Sequence, residues 1–285
     1  MTSIILWISL SLLIVASALP KKHMIYRFLV AGVGWIFFAL HWAIQSSHFV
    51  EIMDYVNVVL VLLFSLFCIF IGMTMMKLGR KLHDSGDIAM NEIKEIGETT
   101  KVRDMSTLLT LTRATAISGL FYFPFANLAF LNTWIISMVT DQTVWLSELF
   151  GFGVIRVGWD LIELNGLLVQ IILACTAIES IALFSGLILS VNAPGKRMFK
   201  AFMISIPVIY ILNVIRDAFV LVAYGEAWFG EDSFFIAHHV LAKAGSGIAL
   251  LVISYAVMKT LPELLDMIEG IFNLFRKDER SIKDI

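Results

Sequence analysis

The sequence predicts an all-α polytopic membrane protein with seven transmembrane helices, an amino terminus outside the cell and a carboxyl terminus in the cytoplasm. Two observations predict this fold class. Of the 285 residues, 59% are hydrophobic and only 15% are charged, which is far more apolar than an ordinary soluble domain. Long apolar stretches also alternate with connections whose charges differ in sign. The whole chain, 1–285, is expected to form a single membrane domain.

Seven apolar stretches are candidate spans, because each approaches the ~20 residues that a helix needs to cross a hydrocarbon core of ~30 Å. They are residues 3–19, 25–44, 55–76, 108–139, 170–191, 199–224 and 236–258. The first stretch is short, but it lacks a basic region before it and a convincing cleavage pattern after it. We therefore expect a retained helix. The fourth is longer than a span requires and contains Pro124, which should kink or break the helix.

The distribution of basic residues predicts the orientation. Cytoplasmic connections of membrane proteins are enriched in Lys and Arg, and 18 of the 21 Lys and Arg residues fall on one side of the seven-span arrangement. The exceptions are Arg156, Arg216 and Lys243, which all fall in the outer half. The opposite connections carry mainly acidic residues. This asymmetry indicates an outer amino terminus and a cytoplasmic carboxyl terminus.

Three segments outside the spans have their own character. Residues 77–107 mix charges with isoleucines, which predicts a cytoplasmic helical loop. Residues 141–169 are rich in aromatic residues and glycine, which favours a hairpin or re-entrant element that caps the outer face. In 261–285, apolar residues recur at intervals of three and four, a pattern typical of an amphipathic helix lying on the inner membrane surface.

Three polar residues lie where the chain should be most apolar: Cys175, Arg216 and His239. An ionisable group inside a bilayer is costly, so each one suggests a functional site. The predicted orientation places Cys175 ~8 Å and Arg216 ~12 Å below the outer ends of their helices, and His239 in the first turn of the last helix. All three therefore share the outer third of the membrane.

These residue types together favour covalent acyl transfer. A thiol needs an adjacent cation or base to become a good nucleophile. Arg216 is always charged and can stabilise a thiolate or a developing oxyanion, while His239 can exchange protons with the thiol and the leaving amine. The neighbouring His238 is a rival, because adjacent helical residues point ~100° apart and only one should face Cys175.

The motifs Ala174-Cys175-Thr176, Asn213-x-x-Arg216 and a basic residue that opens the last helix appear in this order. In order and topology the chain resembles the exosortase/archaeosortase family. The resemblance implies an archaeal, multi-pass transpeptidase of the cell membrane with its active site facing the extracellular side. Such an enzyme recognises a carboxyl-terminal signal on surface proteins such as S-layer proteins, made of a short motif like Pro-Gly-Phe, an apolar helix and a basic end. It cuts near the motif through a thioester and joins the new carboxyl terminus to a lipid head-group amine.

The resemblance also implies roles for individual residues. Cys175 is the nucleophile and Arg216 its electrostatic partner. His239 occupies a third position that carries arginine in some members of the family, and histidine there can exchange protons where arginine does not. Supporting roles are expected for three further residues of the motifs and their surroundings: Asn213, Glu179 and Thr176.

Each assignment has a structural alternative. Cys68 is interpreted as a packing residue, and Cys175 would be one too without its partners. Arg216 has a possible structural ion pair with Asp217 or Glu179, and both histidines have an interfacial interpretation. A metal site is disfavoured because the ligand spacing is not dense and Arg216 would repel a cation.

Two other functional classes share this topology. In a seven-helix photoreceptor or receptor, Lys243 would be the candidate for a retinal Schiff base, although the third helix has no acidic counter-ion in its interior. A small-solute transporter should contain paired interrupted helices, which the sequence does not show. No Gly-rich nucleotide fingerprint is present and the formal net charge is −2, so we expect neither a soluble cofactor nor a nucleic acid partner.

Overall fold

A computed structural model of the chain describes residues 2–51, 53–84 and 99–283. The described residues are mostly helical. The helices are α1 (Thr2–Ala18), α2 (Met24–Glu51), α3 (Tyr55–Asp84), α4 (Thr99–Asn127), α5 (Ala129–Leu149), α6 (Ile178–Ser190), α7 (Gly195–Gly225), α8 (Lys243–Thr260) and α9 (Glu263–Lys283). A π-helical segment, Phe235–Ala242, leads directly into α8. Within the predicted loop 77–107, residues 85–98 lie outside the described part of the chain, and α3 and α4 contain the rest.

Within the described ranges, four helical segments are long and apolar enough to cross a membrane, and five if one bent pair of helices counts as a span. The four are Lys21–Glu51, Tyr55–Asp84, Gly195–Gly225 and Phe235–Thr260. The other apolar helices, Ser3–Ala18 and Ile178–Ser190, are shorter. The chain is thus a membrane protein, and each of the seven predicted stretches contains helical structure.

The bent pair corresponds to the fourth predicted span. Helix α4 ends at Asn127, α5 begins at Ala129, and the two helices meet at 89°. Between them, Leu128 has an extended backbone conformation, and its amide donates to the carbonyl of Pro124 over 2.9 Å. The predicted break is therefore present, four residues beyond the proline that lacks a backbone donor.

The described residues form two compact units, of which the first comprises residues 2–119 and 264–283. In this unit α2 and α3 approach closely at glycines. A Cβ atom on Gly72 would lie 2.9 Å from the carbonyl oxygen of Gly32, so neither position tolerates a side chain. Helix α9 also packs here, with Phe275 stacked on Phe70 at 4.4 Å between ring centroids. The predicted tail helix is thus formed, and its location on the inner membrane surface stays a prediction.

The second unit, 120–263, contains a three-stranded antiparallel sheet. Its strands are β1 (Ile155–Arg156), β2 (Leu161–Leu164) and β3 (Leu167–Gln170). Asn165 and Gly166 join β2 to β3 with φ values of 54° and 82°, and this dipeptide with two positive φ values is typical of a tight hairpin turn. Ile162 and Leu164 alternate inward from β2 into a buried cluster shared with α5 and α7.

The described residues are mostly helical, as predicted, and this small sheet was not predicted. The bounds of one helix are corrected: the fifth apolar helix begins at Ile178 rather than at residue 170. The apolar residues before it continue as strand β3, because they pair with β2 and not with their own helical turns. In the predicted outer-face cap, the expected hairpin is present at 155–170, whereas residues 141–149 complete α5.

The sheet is fastened to the carboxyl-terminal end of α7. Leu164 packs so closely against Gly225 that a Cβ atom there would overlap the leucine side chain. The side chain of Asn165 donates a hydrogen bond to the carbonyl oxygen of Gly225 over 3.0 Å. The β2–β3 hairpin and helix α7 are therefore held together by the packing of one side chain and by a hydrogen bond to the helix backbone.

Candidate active site

Cys175 lies on a tight turn between a strand and a helix. After β3, a single 3₁₀ turn covers Leu173–Cys175, and the Cys175 amide donates to the Ile172 carbonyl over 2.8 Å. Two residues later, Ala177 has φ 59° and ψ 4°, and α6 begins. A left-handed backbone at a residue other than glycine costs about 1–3 kcal/mol. The prediction that Cys175 lies inside a transmembrane helix is therefore wrong: the chain presents the thiol on a reversed, strained turn.

Thr176 stabilises this turn by a hydrogen bond inside it. Its side chain is fully buried, and its hydroxyl donates to the Leu173 carbonyl over 2.7 Å. The Ile178 amide lies 3.5 Å from the same hydroxyl oxygen. The structure therefore places Thr176 as a support of the turn and not as a group facing a substrate.

Asn213 joins the turn to α7. Its side-chain amide nitrogen donates to the Cys175 carbonyl over 2.6 Å and to Oδ2 of Asp217 over 3.1 Å. Asn213 is buried, and an amide nitrogen has two hydrogens to donate. This one side chain therefore fixes the backbone of the nucleophile to the helix that carries the cation.

Arg216 lies one turn further along α7. Its guanidinium donates to Oδ1 of Asn213 over 3.3 Å, approaches Oδ1 of Asp217 at 3.6 Å and acts electrostatically on the Cys175 thiol. The spacing of residues 213, 216 and 217 puts all three on one helical face. The structure thus brings together three of the predicted site residues, Cys175, Asn213 and Arg216.

Sequence reasoning did not include Asp217 among the site residues and considered it only as a structural ion-pair partner. Its side chain is 3% exposed and contacts both Asn213 and Arg216. A buried carboxylate requires hydrogen bonds and a nearby cation, and here it receives both. The signal in the sequence was the spacing of four residues between Asn213 and Asp217.

The surroundings of the Cys175 thiol shift its pKa in opposite directions. Cys175 lies outside the helices that qualify as spans, and burial raises the pKa of its thiol, as does the Asp217 carboxylate. The hydrogen bond with the Ile172 backbone and the Arg216 guanidinium act in the opposite direction. Because a thiol is nucleophilic as the thiolate, Arg216 is the side chain that favours the reactive form of this half-buried cysteine.

The two histidines occupy different positions in the π-helical segment. His238 is half-buried, and its imidazole interacts electrostatically with Arg216. His239 is exposed. Its ring packs edge to face against Phe234 and at a tilt against Phe235. His238, the rival, is thus the less exposed of the two imidazoles, and the identity of the catalytic histidine stays a prediction.

A cavity of about 470 Å³ borders this cluster, within the ~300–1,000 Å³ range of small-molecule sites. Helices α6, α7 and α8 line it. Its polar lining residues are Glu179, Ser180, Asn213, Arg216 and Ser246, and Ala174 and Ala177 flank the cysteine turn. The rest is apolar and extends along α7 and α8 past Ile209, Leu250 and Ile253. No group of three or more His, Cys, Asp or Glu residues in the described ranges is arranged to hold a metal ion.

Comparison with known proteins identifies the family. The model of the transmembrane exosortase family matches residues 2–258. Archaeosortase A of Haloferax volcanii is 30% identical over 213 residues, which cover 62% of this chain and 70% of that protein. Archaeosortase A of Natronomonas pharaonis is 25% identical over 308 residues. The alignment covers 96% of this chain and 89% of that protein. No solved structure matches the chain. The match across most of the sequence shows that this chain belongs to the transmembrane exosortase family.

Proposed function

We propose that this protein is a membrane-embedded cysteine transpeptidase that processes surface proteins at a carboxyl-terminal signal. The observation that carries the proposal is the cluster of Cys175, Asn213 and Arg216 beside the cavity. A thiol on a strained turn, with a guanidinium that acts on it electrostatically and an open cavity beside it, suits nucleophilic attack on a carbonyl carbon. This arrangement favours acyl transfer over the functions of a receptor, photoreceptor or transporter.

The relatives support the same class of reaction, because both are archaeosortase A proteins of archaea. We infer by this similarity that the substrates are surface proteins with a short recognition motif, an apolar helix and a basic end. We also infer that the active site faces the extracellular side of an archaeal cell membrane, in a seven-segment topology with its amino terminus outside. The asymmetric distribution of Lys and Arg supports this orientation.

In the first half-reaction, the Cys175 sulfur attacks the carbonyl carbon of the scissile peptide bond. The thiol proton passes to an imidazole, which we assign to His238 as the less exposed of the two histidines, and the new oxyanion is stabilised by the Arg216 guanidinium. The imidazolium then gives its proton to the leaving nitrogen as the carbon–nitrogen bond breaks. The product is a thioester between the surface protein and Cys175.

In the second half-reaction, a lipid head-group amine attacks the thioester carbonyl. The amine nitrogen loses its proton to the imidazole, the carbon–sulfur bond breaks, and the sulfur regains the proton. Asp217 keeps the guanidinium in place through both steps, since it contacts Arg216 and Asn213 at the same time. The surface protein leaves with its new carboxyl terminus joined to the lipid.

The proposal predicts an acyl-enzyme on Cys175. When full-length protein in lipid vesicles is incubated with a tailed surface protein and no amine acceptor, mass spectrometry of the intact protein should show the added mass of the surface fragment. Hydroxylamine at neutral pH should remove this mass, because it cleaves thioesters. Processing in which no adduct forms on Cys175, even after rapid quenching, would contradict a covalent mechanism.

The two histidines are expected to behave differently. His238→Ala should lower the rate of acyl-enzyme formation by ~10²–10⁴-fold, the usual contribution of general acid–base catalysis, and should flatten its pH dependence. His239→Ala is the matched control on the adjacent, exposed position and should change the rate little. The single-turnover rate of adduct formation measures both. The reverse pattern would restore His239 as the catalytic imidazole.

A further inference from the structure

Glu179 is a carboxylate in the same cavity as the reactive cluster, and the first half-reaction does not use it. It is exposed, lines the cavity from the first turn of α6, and lies four residues after Cys175. One oxygen accepts a hydrogen bond from the Tyr122 hydroxyl over 3.2 Å. The side chain is therefore oriented within the cavity and not free to turn in any direction.

In the described part of the chain, no ion pair engages Glu179. The cation that shares the cavity, Arg216, pairs with Asp217, and the other ion pairs lie elsewhere in the chain. A carboxylate in a mainly apolar cavity is stabilised by an opposite charge. The helix α6 dipole offers part of this stabilisation at its amino-terminal turn, and a cationic ligand would offer more.

We infer that Glu179 binds the primary ammonium group of the acceptor that attacks the thioester. The inference rests on the proposed transpeptidase function and assigns it an acceptor subsite. The cavity separates the two charges that such a reaction requires: Arg216 serves the oxyanion on the α7 side, and Glu179 serves the ammonium on the α6 side. An amine held there is next to the turn that carries the acylated sulfur.

The protons balance in this step. The bound ammonium loses one proton through the Glu179 carboxylate to solvent, which frees the lone pair of the nitrogen. The neutral amine then forms the carbon–nitrogen bond as the carbon–sulfur bond breaks. Its second proton passes through the imidazole to the departing sulfur. Glu179 thus acts by binding and releasing the acceptor, and it has no part in forming the thioester.

The test is Glu179→Gln in the full chain in vesicles, with acyl-enzyme formation and acceptor dependence measured separately. Adduct formation should be unchanged. The acceptor concentration that gives half-maximal transfer should rise about 10- to 100-fold, the effect of losing a hydrogen bond to a charged group. Glu179→Asp should recover part of the effect. Glu231→Gln, which removes an exposed carboxylate that does not line the cavity, is the matched control.

Two acceptors are compared to find whether the ammonium group belongs to a free amine or to a lipid. One is ethanolamine in solution, and the other is an amine-bearing lipid, present in or absent from the vesicles. A rise in half-maximal concentration for either acceptor supports the subsite. Gly245→Leu then distinguishes the two acceptors, because Gly245 lines the cavity and a Cβ atom there meets nothing within 4 Å. If Gly245→Leu lowers transfer to the lipid only, the natural acceptor is a lipid head group. If it lowers transfer to the lipid and to ethanolamine equally, the acceptor is a free amine. Gly247→Leu, on the same helix and equally unobstructed but outside the lining, is the control.

Other results would overturn the inference. If Glu179→Gln slows adduct formation and transfer by the same factor, the carboxylate serves the first half-reaction and not the acceptor. If it only lowers thermal stability and leaves the acceptor dependence unchanged, Glu179 is a charge at a helix terminus. Absence of any adduct in the unsubstituted protein is a distinct result, because it contradicts the proposed transpeptidase itself.

Discussion

Replacing Cys175 with alanine is expected to abolish processing of surface proteins, with a loss of at least about 10⁴-fold in rate, because a nucleophile and its partners act as one unit. The remaining groups have no atom that can form the covalent bond. Retention of the unprocessed surface protein in cells, and loss of the acyl-enzyme mass in vesicles, would both measure the effect. Cys175→Ser should also be inactive, because the hydroxyl has a much higher pKa than the thiol and Arg216 alone does not ionise it.

The chain supplies its own control for this experiment. Cys68 is the other cysteine, fully buried in α3 of the first unit. Cys68→Ala removes a thiol of the same kind and should leave processing intact, although it creates a small cavity. Processing that survives in Cys175→Ala, or fails equally in Cys68→Ala, would contradict the assignment of Cys175 as nucleophile.

Substitution of Arg216 is expected to have the second largest effect. Arg216→Ala should lower the rate of acyl-enzyme formation by about 10²–10³-fold, the usual effect of removing one oxyanion donor. Arg216→Lys should fall between the alanine variant and the native protein. Lysine keeps the charge but lacks the planar fork, so it does not contact Asn213 and Asp217 together while acting on the thiol, as the guanidinium does.

The pH dependence separates these two roles of Arg216. Activity that requires a thiolate rises with pH through the pKa of the thiol. Burial already raises the pKa of Cys175, and Arg216 opposes this effect, so Arg216→Ala should move the rising limb to higher pH. Arg216→Lys should keep the limb near its native position and lower the plateau. Arg197→Lys, at the start of the same helix in an ion pair with Glu263, is the control. An unshifted limb in Arg216→Ala would show that the guanidinium does not act on the thiol.

Much of the site could be predicted from the sequence because its residues are polar and the stretches around them are apolar. Cys175 and Arg216 stood out as polar groups in apolar stretches, and Asn213 was implied by the family resemblance through the motif Asn213-x-x-Arg216. Helix α7 forms nearly where the apolar stretch 199–224 predicted it. Its regular period then places residues 213, 216 and 217 on one face, which needs no knowledge of distant contacts.

The turn that carries Cys175 could not be read in this way. Residues 167–175 are as apolar as the helix that follows them, and hydropathy does not distinguish a strand from a helix in a short apolar run. Their conformation depends on pairing with β2 and on the left-handed backbone of Ala177. His238 and His239 lie in a π-helical segment, which changes the rotation between successive residues and leaves no mark in composition.

The attachment of the sheet to Gly225 has a mechanical consequence for access to the thiol. Leu164 and Asn165 hold the sheet at the end of α7, and Asn213 holds the cysteine turn three turns earlier on the same helix. With two attachment points, the nucleophile and its guanidinium move as one rigid body. Entry of a bulky chain would then require displacement of α8, whose first turns line the cavity with the small side chains of Gly245, Ser246 and Ala249. The π-helical segment before α8 is its natural hinge, so opening would leave Cys175 and Arg216 in place and would move His238 with the hinge.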